Sequence, residues 1–179
     1  EPHFDIVRLL LNRGADPTTS TIKGFTPLMY AAQNGGIETA EALIAASVDL
    51  NEPSGDGTHI LPFAIVSGQD TFALFLLEHG ADPNGSMNGV SALHAAAGNV
   101  GMWLGDWYRR HGRGGRYARF RRARMSAGQR LPLVNALLAR GADPNARITA
   151  SAMIMSYIGY PKKGAFEPFA CGTGDLRGA

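Results

Sequence analysis

Cysteine is nearly absent from this chain of 179 residues: Cys171 stands alone, so no internal disulfide can brace the fold. Long apolar runs are missing too, which excludes a membrane-spanning helix. Yet 45% of the residues are hydrophobic and 18% charged, proportions that suit a chain with a buried core. Metal-ligand spacings are lacking. The five histidines, His3, His59, His79, His94 and His111, form no ligand pattern with Cys171. Neither a glycine-rich phosphate loop nor a nucleophile elbow occurs. No catalytic residue, metal, cofactor or small-molecule ligand is therefore expected, and the chain is not expected to be an enzyme. Acidic residues are missing from one stretch in particular. Arg109 to Arg130 holds nine of the 17 basic residues and no Asp or Glu, leaving eight basic against fifteen acidic residues elsewhere, although the whole chain carries only +2. An acidic body carries one strongly basic segment.

What is abundant is repetition. Leu10 to Pro17 (LLNRGADP), Leu76 to Asn84 (LLEHGADPN) and Leu137 to Asn145 (LLARGADPN) are three copies of one phrase. Each reads as the last turn of an apolar helix, a glycine able to take the left-handed conformation, and an Asp-Pro turn through which no helix can continue. Asp16, Asp82 and Asp143 look like a carboxylate set, but Asp-Pro after a helix reads as a turn residue bonding its own backbone. Gly14 and Gly80 lie 66 positions apart, and midway stands Ser47 in a degenerate copy, Leu43 to Asn51, so the period is 33. A second phrase keeps the same period: Gly24 to Ala32 (GFTPLMYAA), a weaker copy at Gly57 to Ile65, and Gly89 to Ala96 (GVSALHAA). In it Thr26 is placed to cap a helix and Pro27 to open it.

Two phrases in phase at this period resemble the ankyrin repeat, including its T-P-L-H-x-A signature. The resemblance implies an all-α ankyrin-repeat α-solenoid, helix-turn-helix units stacked side by side and joined by β-hairpin-like loops. On that reading residues 1–21 are a partial repeat, 22–52 and 53–85 are whole ones, and 86–146 is a repeat split by an Arg-rich insertion at about 99–130. A partial repeat at 147–179 follows, with a loop expanded at about 146–163, and the whole is expected to be a fragment of a larger array. The insertion is expected to project from the stack. Pro62, in a departure from the signature, is expected at the fourth position of its helix.

The resemblance also implies a non-catalytic module for protein–protein interaction, because in that family the loop tips and the exposed face of each first helix line a concave groove. Carried over by position, the tips are Lys23 and Phe25, Asp56 and Thr58, Asn88 and Val90. The groove-facing residues are Tyr30, Gln33 and Asn34, then Phe63, Val66 and Ser67, then Ala95 and Asn99. Tyr30 and Phe63 are equivalent one repeat apart, and either anchor a partner or shield the alanine stripe. His94 stands at the signature histidine, which implies a structural bond to adjacent backbone, and Cys171 reads as a buried thiol.

The insertion interleaves Trp103, Trp107, Tyr108, Tyr117 and Phe120 with Arg109, Arg110, Arg113, Arg116, Arg119, Arg121, Arg122 and Arg124. Arginine with aromatics suits single-stranded nucleic acid or an acidic surface. The alternative is a solvated arginine helix, Tyr117 to Met125, pinned by its aromatics against the acidic stack. A third possibility is that the stack is the targeting arm of an enzyme lying outside these residues. The apolar loop Ile148 to Tyr160 either packs on the stack or meets a partner.

Overall fold

Thr26 and Pro27 start a helix as their chemistry dictates. Thr26 is extended (φ −90°, ψ 161°) and its hydroxyl accepts the Met29 N–H at 3.2 Å, while Pro27 fills the first turn, where its missing N–H has no partner to lose. The computed structural model describes residues 4–149 apart from 23, 99, 102 and 112–126. Its elements in order are α1 (Phe4–Asn12), α2 (Pro27–Asn34), α3 (Ile37–Ala45), α4 (Ile60–Val66), α5 (Asp70–Glu78), β1 (Ser86–Met87), β2 (Val90–Ser91), α6 (Ala92–Ala97), α7 (Gly105–Arg110) and α8 (Ala127–Ala139).

Helices α2 and α3, α4 and α5, and α6 and α8 pack as pairs, and the pairs stack. Helices α2, α4 and α6 form one row; α1 lies on α3 and α5 on α8 along the other. The fold is the all-α solenoid expected, with one two-stranded antiparallel hairpin among the described residues. Ala32, Ala40, Ala64, Ala73 and Ala96 are fully buried, and their small side chains let neighbouring helices approach closely. Leu43, Leu61, Leu76, Leu77, Leu133 and Leu137 are fully buried in the same hydrophobic core. In the hairpin Ser86 faces Ser91 and Met87 faces Val90, and both turn residues, Asn88 (φ 50°) and Gly89 (φ 76°), have positive φ, as a tight hairpin turn requires.

The stop phrases behave alike. Gly14, Gly80 and Gly141 have φ of 84°, 89° and 93°, and Ser47 is forced to 66° at the same point of its repeat. Asp16, Asp49, Asp82 and Asp143 each accept, on Oδ1, the backbone N–H two residues on, all at 2.8 Å, so they are turn residues. The asparagines after them reach further. The Asn51 amide donates to Gly80 O at 3.1 Å and accepts the Asp82 N–H at 2.6 Å. Asn84 repeats this with Gly141 O at 3.0 Å and the Asp143 N–H at 2.8 Å, so the rung survives the insertion between those residues.

Pro62 lies at the third helical position rather than the fourth, counting from the cap His59. That position is one of the first four whose N–H has no intrahelical acceptor, so the proline costs no helical bond. His59 meanwhile ties its repeat to the hairpin, its N–H donating to Ser86 O at 3.0 Å.

Candidate functional site

The row α2, α4, α6 and the loops preceding each helix form the face that the sequence marks for recognition. Its centre is aromatic. Phe25 is buried with its ring edge-on to Phe63 (5.7 Å, 83°) and 5.5 Å from Tyr30. Phe63 is only 1% exposed, whereas Tyr30, its equivalent one repeat earlier, is 40% exposed.

The difference is made by the insertion. Beyond α6 the chain buries Val100 and Leu104 and turns α7 back over the face, where Trp107 is 0% exposed. The Trp107 ring lies 5.7 Å from Phe63 and 6.0 Å from Phe25, and its indole Nε1–H donates to Thr58 Oγ1 at 2.8 Å. His111 stacks on Trp107 (4.0 Å, 20°) and meets Phe25 at 5.4 Å. Its Nδ1 is 2.8 Å from Trp107 O and its Nε2 is 3.3 Å from Asp56 Oδ2, so both ring nitrogens face acceptors. Asp56 Oδ1 accepts from Ser54 Oγ (2.6 Å) and from the Thr58 N–H (3.1 Å). Burial pushes the Asp56 carboxyl up, but these hydrogen bonds and the nearby His111 outweigh it and hold the group below the usual carboxylate range. At the next tip Asn88 donates from Nδ2 to Trp103 O and accepts from Arg110 Nη2, both at 2.8 Å.

The insertion therefore does not simply project: its described residues from Val100 to His111 fold onto the stack. An indole hides some 150–250 Å² of surface when buried, a gain that a solvent-facing loop would forgo. Phe25, Thr58, Phe63, Ser67, Val90 and Ala95 are correspondingly buried, and their side chains face the protein's own interior rather than a free groove. Tyr30 and Asn34 are exposed, and Gln33, Val66, Asp56 and Asn88 are half-buried. Lys23 and Asn99 lie outside the described residues.

Arg109 and Arg110 are exposed, Arg109 pairing with Asp106 one turn back and Arg110 bonding Asn88. Arg113, Arg116, Arg119, Arg121, Arg122 and Arg124 lie outside the described residues, as do Tyr117, Phe120, Cys171 and residues 150–160 of the apolar loop. Ile148 is buried, and the Thr149 N–H donates to Gly89 O at 3.0 Å.

His94 bonds Ser91 Oγ at 2.6 Å through Nδ1 and also hydrogen-bonds the backbone of Ala146, the structural role implied by its place in the signature. Burial lowers its pKa, and the Ala146 bond offsets this in part. The cluster of Thr58, Asp56, Trp107 and His111 was not anticipated. Its one trace in the sequence is Leu104, Trp107 and His111 at helical spacing inside the insertion. Among the described residues no group of His, Cys, Asp and Glu is arranged to hold a metal ion, and no helix is long and apolar enough to cross a membrane.

Known proteins resemble this chain over part of their length. Residues 1–87 match the family model of ankyrin repeats in three copies. An ankyrin repeat-containing protein of Treponema pallidum is 37% identical over 99 residues, 54% of this chain and 33% of that protein. The B-cell lymphoma 3 protein homolog of Mus musculus is 30% identical over 164 residues, 78% of this chain and 33% of its own. The E3 ubiquitin-protein ligase KEG of Arabidopsis thaliana is 34% identical over 95 residues, 52% of this chain and 6% of the ligase. The chain spans a third or less of the length of these relatives.

Proposed function

Starting from the fact that this chain is an ankyrin-repeat protein, of a family whose stacks are generally non-catalytic protein-binding modules, we propose that it binds a protein partner on the α2–α4–α6 face and the adjoining loop tips. The observation that carries this reading is Tyr30. It is a large aromatic left 40% exposed on a row whose other side chains are mostly buried, with Gln33 and exposed Asn34 beside it. Tyrosine in such a place supplies contact area at little entropic cost, and a specific interface of about 1,200–2,000 Å² in total needs a few anchors of this kind. Replacing Tyr30 and Asn34 together with Ala is expected to abolish capture of the partner and to leave the melting temperature unchanged. Capture at wild-type strength would refute the reading.

A second reading, an acidic or nucleic-acid partner on Arg109 to Arg124, is favoured by the concentration of nine basic residues between Arg109 and Arg130. It requires affinity for an oligonucleotide to fall steeply with added salt, and salt-independent affinity would exclude it. The resemblance of about half the chain to part of a ubiquitin ligase also admits a third role, as the targeting arm of an enzyme encoded beside it.

A further inference from the structure

Helix α7 sits on the recognition face as a bound ligand would. It inserts one aromatic anchor into an aromatic pocket, satisfies the anchor's single donor on Thr58, and places a basic ring one turn later against Asp56. We propose that the pocket formed by Phe25, Phe63, Thr58 and Asp56 is a receptor for a partner helix bearing a tryptophan and, four residues on, a histidine or other cation. Helix α7 is its built-in occupant, which such a partner must displace. The inference rests on the reading of this face as the binding surface and adds the partner's chemistry and its regulation.

Two observations favour exchange over permanent closure. Helix α7 has six residues, too few to be stable as a helix by itself, so its form depends on being docked. Among the described residues Asp56 Oδ2, moreover, is buried with no hydrogen bond and with the His111 Nε2 facing it at 3.3 Å, an anionic site that a lysine or arginine would satisfy better. A tethered occupant competes at an effective concentration of the order of millimolar, so it masks the pocket from weak ligands while yielding to strong ones.

The probe is a labelled synthetic peptide of residues 100–111, titrated by fluorescence anisotropy into the full chain and into the double variant Trp107→Ala, His111→Ala. The expected result is saturable binding at least tenfold tighter to the variant, weakened again when Thr58→Val is added. A folded variant that does not bind, or that binds no better than the wild type, overturns the proposal. Should the variant not fold, hydrogen exchange on the wild-type chain decides. A Trp107 indole proton and a Tyr108 amide that exchange faster than the Leu77 amide support a detachable helix; equal rates overturn it. If the peptide fails to bind while the Tyr30 and Asn34 substitutions still abolish partner capture, the exposed rim remains the binding surface and only the occupant model falls.

Discussion

Ser47 allows the stop phrase to be tested by a single atom group. Three of the four stops place glycine at φ between 84° and 93°, and the fourth places Ser47 at 66° after α3, where its N–H bonds Ile44 O and the Val48 N–H bonds Leu43 O. An L-residue held in the left-handed region costs about 1–2 kcal/mol. Glycine would remove that cost but lose about 0.5–1 kcal/mol more conformational entropy on folding. Ser47→Gly should therefore stabilise the chain by about 0.5–1 kcal/mol, or roughly 1–4 °C in melting temperature for a chain of this size. The reciprocal change, Gly80→Ser, should destabilise by a similar amount. A Cβ added at Gly80 meets nothing within 4 Å, so the loss would report backbone conformation and not a clash. Thermal and urea unfolding followed by circular dichroism reads both. A Ser47→Gly chain no more stable than the wild type, or a Gly80→Ser chain unaffected, would refute the claim that the left-handed stop sets the cost at this position.

Other consequences are equally direct. Asn84→Ala removes two hydrogen bonds between repeats across the insertion and should cost about 1–2 kcal/mol, read as faster exchange of the Asp143 amide. Phe63→Ala should cost about 3–5 kcal/mol because it empties the space between Phe25 and Trp107, while Tyr30→Ala should stay within about 0.5 kcal/mol; a calorimetric melt of each variant separates them. Thr58→Val leaves the buried Trp107 indole N–H without its acceptor and should cost about 1–3 kcal/mol in urea unfolding. His94 binds its proton less readily in the folded chain than in the unfolded one, so its contribution to stability is present above about pH 6.5 and is lost as pH falls below that. Melting from pH 7.5 to pH 5 should show a weaker pH dependence in His94→Gln than in the wild type.

The insertion shows why a repeat can be read from sequence more readily than its exceptions. The stop phrases, the Thr26 cap and the alanine stripe act within a few residues of themselves, and their geometry follows from φ preference, side-chain size and donor supply. Asn51 and Asn84 were visible as repeated letters, but their amides act on residues 29 to 59 positions away. Phe63 and Tyr30 are equivalent in sequence and opposite in exposure, because Trp107 covers one and not the other.

Sequence by itself determined the period of 33, the direction in which helices start and stop, and the all-α stack, since each is a local rule repeated in phase. Only the tertiary structure decided that α7 turns back to place Trp107 between Phe25 and Phe63 and His111 against Asp56. That choice depends on aromatic surface and hydrogen-bond partners drawn from repeats about 50 positions apart, which no local preference encodes.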